Sequence, residues 1–519
     1  MRFLLEMLAA AGSGLLLAFV FPPWNRPWLA WVGLAPLAAV VFSSRSGRRA
    51  FLLALVSGTV FFLLTLHPLT SAADWIGWAE RVSEERAALL TRQAEFLRLV
   101  WMTMAVIGGV CWGLWALLAR APGRSHPWRT LAVSVCAWVL IPEWLRMQLG
   151  FESTWGALGY ALAGHDALRQ LAALGGVWLA SALVVAVNVA LAWVVTRPPA
   201  RAWPMPSAVA AMAAAAWLGG CWALARPSAP GPAVTVAALQ FDKPLYTEAD
   251  YSPWGFDLSY LPLIRQALEA DADVIVLPES VAVGTMLEDG SASQQKPPAY
   301  QFPLDSWDRS MRALLRGHDA VLAVGQDTVD AGGERNTLSF WSAEGLLGTY
   351  HKRRLVPFSE YTPASWRWGP LKGRKQYVRG RGSRLIDAHG TALGGLLCQE
   401  IEYRRPMRAS VRDGAGILIN AGNDAPFTDP AVRELHHVML RLAAAEAGRP
   451  IVRAMKSGIS AVYDARGRVL AEAPPDSPAV LLADVAPGAG MTGAVRFPDW
   501  VLWLSGVILL AGLPRRQNS

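Results

Sequence analysis

Hydrophobicity along the chain has two textures. Through the first half, long apolar stretches recur near 3–21, 28–43, 50–67, 99–119, 130–147, 170–196 and 207–225, and one more lies near 499–513. A bilayer crossing needs about 20 predominantly apolar residues, so these runs predict a polytopic α-helical membrane domain of about eight spans. Residues 226–498 instead alternate short apolar runs with amphipathic ones. Strands are predicted at 234–240, 273–278, 320–325, as a pair around 337–352, at 416–420 and as a hairpin around 451–472, with helices near 257–270, 304–316, 403–412 and 430–446. That alternation predicts an α/β domain with helix-covered sheets. The Pro/Ala/Gly link Arg226–Pro232 marks its start. Three regions result: a membrane domain over 1–225, an α/β domain over 226–498, and a last span with a short tail over 499–519.

Composition agrees with a membrane protein. Of 519 residues, 53% are hydrophobic and only 17% charged, and the mean hydropathy of the chain is +0.27. The net charge of +8 raises the question of nucleic acid, but the arginines gather in short links between apolar runs. Ser44–Arg49, Arg120–Arg129, Arg197–Arg201 and the tail at Arg515 and Arg516 are alternate connections. The positive-inside rule places them in the cytoplasm with both termini, and so places residues 226–498 outside it. No nucleic-acid site is expected. Glu6 interrupts the first run and no small-residue cleavage site follows, so that run reads as a span rather than a signal peptide. Residues 68–98 carry Glu84, Glu85, Arg86 and Arg92 beside Leu89, Leu90, Phe96 and Leu97 at helical spacing, which fits either an amphipathic helix on the membrane or a solvated helical hairpin. Trp24, Trp28, Trp128, Trp203 and Trp500 stand at span edges, where tryptophan anchors to the interface.

Chemistry concentrates in the α/β region. Of the four cysteines, Cys111, Cys136 and Cys221 fall in predicted spans, leaving Cys398 alone in the α/β part, where neither a disulfide nor a Cys-based metal site can form. His436 and His437 lack a carboxylate or Cys at ligand spacing in the sequence, so no metal is expected, and no organic cofactor is called for. Three apolar runs stop abruptly on a reactive side chain: Ala272 to Glu279, Leu347 to Lys352, and Thr391 to Cys398. Open α/β sheets place their chemistry at such strand tips. A thiolate attacks carbonyls well, a carboxylate can take its proton, and an ammonium favours both the thiolate and an oxyanion. A lone cysteine in an apolar strand is more often plain packing, and it is the set of three tips that singles out Cys398.

The residues around these tips resemble a known family. Leu277-Pro278-Glu279-Ser280, His351-Lys352 with Leu355-Val356-Pro357-Phe358-Ser359-Glu360-Tyr361, and Cys398-Gln399-Glu400 are similar to the three catalytic segments of the nitrilase, or carbon-nitrogen hydrolase, superfamily. The stretch after the lysine, with a membrane domain in front, resembles the bacterial apolipoprotein N-acyltransferase branch, and the likeness runs through nearly the whole chain. The resemblance implies a four-layer α-β-β-α sandwich. It implies Cys398 as nucleophile, Glu279 as base and Lys352 as the oxyanion-stabilising amine, with Glu360 and Glu400 fixing Lys352 and shaping the pocket. Asn336 resembles a structural asparagine before the lysine strand, and Asn423 to Phe427 a segment bordering the pocket. Arg353 and Arg354 read as a solvated basic face ahead of a phosphate site.

The implied reaction is acyl transfer from a membrane phospholipid, with phosphatidylethanolamine as the expected donor, through a Cys398 thioester to the α-amine of a diacylglyceryl-cysteine lipoprotein. The implied setting is the bacterial inner membrane, with the catalytic domain on the periplasmic side and the protein a monomer. Pro426, Gln399, Lys456, the segment Gln240-Phe241-Asp242-Lys243 and Ser153-Thr154 depart from the family's usual residues, and they bear on substrate choice. The alternatives are a membrane-tethered nitrilase-type amidase or hydrolase that gives the acyl group to water, and a non-catalytic lipid- or lipoprotein-binding relative.

Overall fold

The apolar runs of the first half fold as helices. The computed structural model describes residues 1–71, 84–122, 126–149, 152–197, 203–226, 232–241, 251–253, 256–282, 284–293, 298–357, 359–362, 377–475 and 477–512. Chain contacts divide it into two units: Met1–Arg226 with Phe427–Leu442 and Arg496–Ser519, and Pro227–Pro426 with Ala443–Val495.

In the helical unit, five described helices are long and apolar enough to cross a membrane: Gly47–Thr65, Glu95–Arg120, Pro127–Leu149, Leu171–Thr196 and Pro204–Ala225. The other three expected spans are apolar but shorter, at Phe3–Ala18, Pro27–Ser43 and Trp500–Gly512. The second of these is broken, with a 3-10 turn at Pro27–Trp31 and an α-helix only from Ala35 to Ser43. That break would strand helix-end N–H groups in an apolar setting, where an unpaired donor is costly. Asn188, on the helix Leu171–Thr196, supplies the partner: its Oδ1 accepts the N–H groups of Leu34 and Ala35 at 2.9 Å each, and its Nδ2 donates to Ala30 O at 2.7 Å. The irregular segment Ser153–Leu162 is held likewise. Glu143 Oε1 accepts Leu158 N–H at 3.0 Å and Ser181 Oγ accepts Gly159 N–H at 2.8 Å.

Residues 84–98 are the first part of one continuous helix, Glu84–Arg120. Residues 72–83, the side chains of 84–94, and Arg124, Arg201, Arg515 and Arg516 lie outside the described residues.

The second unit is built on strands β1 (Val234–Gln240), β2 (Val274–Val276), β3 (Thr285–Leu287), β4 (Gln301–Pro303), β5 (Val321–Asp330), β6 (Gly333–Ser342), β7 (Gly345–His351), β8 (Leu385–Ala388), β9 (Thr391–Leu397), β10 (Ile417–Asn423), β11 (Ile451–Lys456), β12 (Ala461–Tyr463), β13 (Val469–Glu472) and β14 (Ala479–Val485). They make an eight-stranded sheet, ordered β14-β1-β2-β5-β3-β4 with β6 and β7 continuing from β5, and a six-stranded sheet ordered β13-β12-β11-β10-β9-β8. The sheets pack face to face: Val236, Val276, Ala323 and Phe340 of one share a core with Leu393, Ile419, Val452 and Val462 of the other. The outer face of the larger sheet buries Leu239, Ile275 and Leu322 against helices Leu261–Glu269 and Leu304–Leu315. Burial on both faces explains why β1 and β5 read as continuous apolar runs rather than alternating ones. In Leu304–Leu315 the buried Trp307, Met311 and Leu315 recur at helical spacing, while Asp308 and Arg312 pair on another face. Helix Arg404–Arg412 covers the smaller sheet, where Gly394 leaves only 3.1 Å between its would-be Cβ and Ser410 Cβ. This is an α-β-β-α sandwich.

Candidate active site

Three strand ends deliver the reactive groups. Glu279 follows β2 and Lys352 follows β7, both in the larger sheet, whereas Cys398 follows β9 in the smaller one. Cys398 has φ of 51°, a left-handed conformation that strains a residue with a side chain and here turns the thiol off the strand into a 3-10 turn, Cys398–Glu402. Two close approaches need glycine. A Cβ on Gly325 of β5 would lie 2.6 Å from Glu279 Cα, and one on Gly422 of β10 would lie 2.8 Å from Met455 Sδ and 3.3 Å from Cys398 Cα.

Lys352 is 1% exposed and sits between two carboxylates, with Nζ 3.0 Å from Glu279 Oε1 and 2.8 Å from Glu360 Oε1. Asn336, on β6, donates from Nδ2 to the same two oxygens at 2.6 and 2.7 Å. The other Glu360 oxygen accepts Val356 N–H at 2.8 Å, which fixes the loop after the lysine. Burial alone would lower the Lys352 pKa, but Glu279 and Glu360 outweigh it and hold the amine well above the ordinary lysine value. Lys352 is therefore a permanent ammonium.

The thiol is pushed the other way. Burial, then the charge of Glu279, raise the Cys398 pKa well above the usual thiol value, with Lys352 opposing. Cys398 at rest is a neutral thiol, and its Sγ lies 4.0 Å from Asn423 O. Lys352 and Asn336 both bond Oε1 of Glu279, so Oε2 is the oxygen they leave to a proton from elsewhere.

Glu400 is fully buried and accepts four bonds: Arg353 and Arg354 N–H at 2.7 and 2.9 Å on Oε1, and Leu397 N–H and Tyr350 O–H at 2.9 and 2.8 Å on Oε2. These four bonds go to the lysine strand and loop and to the cysteine turn rather than to the Lys352 amine, so Glu400 ties the one to the other. Arg353 is likewise no solvated face, because it donates to Tyr350 Oη at 3.0 Å, Pro406 O at 2.9 Å and Ser410 Oγ at 3.2 Å.

Sequence reasoning passed over the support behind the thiol. Arg453 on β11, 2% exposed, donates to Asn420 Oδ1 at 2.8 Å and to Asp424 Oδ2 at 3.2 Å. Asn420 Nδ2 in turn donates to Cys398 O at 3.1 Å, so an ion pair buried in the sheet steadies the Cys398 carbonyl. Gln240 is also structural, with Nε2 on Pro474 O at 2.7 Å and Oε1 accepting Ser460 N–H at 2.9 Å. Asp242 and Lys243 lie outside the described residues.

Comparisons with known proteins cover both units. Residues 235–491 match the carbon-nitrogen hydrolase family, and residues 13–83 and 87–190 match the apolipoprotein N-acyltransferase N-terminal domain. The chain is 29% identical over 535 residues to the apolipoprotein N-acyltransferase of Gloeobacter violaceus, covering 99% of this chain and 94% of that one. It is 28% identical to the protein of that name in Chromobacterium violaceum, covering 98% and 94%. To the one in Allorhizobium ampelinum it is 30% identical over 429 residues, 77% of each chain.

Proposed function

The chain belongs to the apolipoprotein N-acyltransferase family, and from that premise we propose that it carries a fatty acyl group from a membrane phospholipid to the α-amine of a diacylglyceryl-cysteine lipoprotein through a thioester on Cys398. The observation that carries this reading is the buried Glu279–Lys352–Glu360 cluster, at 3.0 and 2.8 Å, in which Glu279 and Lys352 follow strands of one sheet and Glu360 lies in the loop after Lys352, while the thiol ends a strand of the facing sheet.

A resting neutral thiol requires a base at the moment of attack. Glu279 Oε2 takes the thiol proton as sulfur bonds the ester carbonyl carbon, and the Lys352 ammonium stabilises the resulting oxyanion. Collapse breaks the ester C–O bond, and the lysophospholipid leaves with the proton held by Glu279. The lipoprotein amine then attacks the thioester, gives a proton to Glu279 and expels the thiolate, which is reprotonated as the amide departs. No step needs a metal or an organic cofactor. Glu360, Asn336 and Glu400 act as positioning residues, and Asn423 borders the thiol.

Both substrates are lipids, and a multi-pass membrane protein meets them in the bilayer. The basic links favour the cytoplasmic membrane with residues 226–498, the catalytic domain, on the periplasmic face; 1–225 and 499–519 form the membrane part. We take phosphatidylethanolamine as the donor and a monomer as the working unit. The test is acyl-enzyme formation in membranes given acyl-labelled phosphatidylethanolamine, followed by mass spectrometry of lipoprotein N-termini. Label on the unsubstituted chain, none on Cys398→Ala, and an N-acylated lipoprotein are expected. Label retained on Cys398→Ala removes Cys398 as nucleophile, and free fatty acid without acylated lipoprotein makes the protein a hydrolase.

A further inference from the structure

Lys352 and Glu360 pair through their side chains at 2.8 Å, and one short segment holds both of their backbones. Gly380 N–H donates to Lys352 O at 2.8 Å, and Tyr377 N–H donates to Glu360 O at 3.0 Å. Between them Val378 N–H donates to Glu334 O of β6 at 2.8 Å, so Tyr377–Gly380 is a strap from β6 to the lysine loop. The strap closes this tightly because residue 380 is glycine: a Cβ there would lie 2.1 Å from His351 O. Arg335 Nη1 adds a longer bond to Arg379 O at 3.3 Å. The strap's own side-chain anchor in the sheet is the Tyr377 phenol, whose Oη donates to Asp327 Oδ1 of β5 at 2.6 Å. Asp327 stands opposite Asn336 in the β5–β6 register, and residues directly opposed in an antiparallel pair share a face. The anchor is therefore set beside the amide that donates to both Glu279 and Glu360.

The chemistry gives this anchor a role. Lys352 has to meet an oxyanion that exists only as the carbonyl is attacked, and misplacing a catalytic group by about 1 Å can cost 100-fold in rate. A flexible four-carbon stem does not fix its own ammonium. Glu360 helps to fix it, yet Glu360 belongs to a loop, so its carboxylate is only as well placed as that loop. Burial first, then the charge of Asp327, push the Tyr377 pKa well above the usual tyrosine value, so the phenol keeps its proton and stays a donor. We propose that Tyr377 is a positioning residue for the acyl transfer, acting through Glu360: its bond to Asp327 fixes the strap, the strap fixes the loop that carries Glu360, and Glu360 fixes the Lys352 ammonium. The effect on rate rests on the acyl-transfer reading above, whereas the effect on the ammonium does not.

The experiment uses the full chain in detergent and Tyr377→Phe, which keeps the ring and removes only the hydroxyl. Two readouts are taken: thioester formation on Cys398 from phosphatidylethanolamine, and the pH dependence of Cys398 alkylation by iodoacetamide. In Tyr377→Phe the maximal rate of thioester formation falls about tenfold, the worth of one lost hydrogen bond, while the donor concentration giving half that rate is unchanged. Lys352 lowers the Cys398 pKa, so an ammonium held less well moves the alkylation curve to higher pH. A general loss of stability lowers the unfolding midpoint without moving that curve. On an Asp327→Ala background Tyr377→Phe costs nothing further, because the bond it removes is already gone. An alkylation curve unmoved in Tyr377→Phe overturns the assignment, as does a further loss on the Asp327→Ala background. Absence of thioester in the unsubstituted chain refutes the acyl-transfer reading instead, and the alkylation curve then still decides whether Tyr377 places the ammonium.

Discussion

Asn336 Nδ2 and Lys352 Nζ bond the same two oxygens, Oε1 of Glu279 and Oε1 of Glu360, at distances from 2.6 to 3.0 Å. The amide supplies two donors without adding charge, so it holds both carboxylates beside the amine while leaving the net charge of the cluster unchanged. Leu at 336 takes one neutral donor from each buried oxygen, worth about 1–3 kcal/mol of folding stability. Asp at 336 adds a third carboxylate and is expected to be worse. Thermal unfolding of Asn336→Leu and Asn336→Asp, alongside acyl-enzyme yield, should rank them in that order; equal stability of the two variants contradicts the shared-donor account.

The thiol should titrate in opposite directions when its two charged neighbours are neutralised. Glu279 raises the Cys398 pKa and Lys352 lowers it. Alkylation of Cys398 by iodoacetamide as a function of pH should therefore shift to lower pH in Glu279→Gln and to higher pH in Lys352→Met. Both variants should lose acyl transfer. Lys352→Met also leaves two buried carboxylates without their cation, a loss of about 3–5 kcal/mol that unfolding measurements will register. Shifts of the same sign would break the assigned roles.

His351 gives the fold a dependence on acid. Burial first, then the charges of Arg335 and Arg384, with Asp330 opposing, lower its pKa from the ordinary value near 6.5 to about 4, and Thr337 Oγ1 lies 2.9 Å from its Nδ1. Between those pH values the unfolded chain binds the proton that the folded chain refuses, so stability falls as pH drops from about 6.5 to 4 and then levels off with respect to this group. His351→Gln keeps a hydrogen-bonding group and cannot titrate. Unfolding midpoints from pH 7 to 4 should fall less steeply in that variant than in the unsubstituted chain, and parallel curves count against His351.

The strand tips were legible because each apolar run ends where its chemistry begins: Val276 before Leu277-Pro278-Glu279, His351 before Lys352, Leu397 before Cys398. The support behind them was not. Arg453 lies in Ile451-Val452-Arg453-Ala454, where alternation reads it as a surface residue, yet the strand is covered on both faces and the guanidinium is buried with Asp424, 29 residues away. Strands β3 and β4 have three residues each, too few to show a period. The membrane count was blurred for a related reason. An apolar run such as 28–43 measures composition, whereas the helix inside it covers only Ala35–Ser43, with Asn188 completing its first turn from another span. Glu400 was legible as a conspicuous acid after the thiol, but three of its four partners proved to be backbone amides, which no side-chain pattern reveals.

The single carboxylate of Glu400 grips the peptide groups of Arg353, Arg354 and Leu397 at once. The loop after the amine and the turn that carries the sulfur are in this way riveted to each other. An opening that parted the lysine loop from the cysteine turn would have to break all three of those bonds to a buried carboxylate, so it would cost more than an opening made by segments elsewhere.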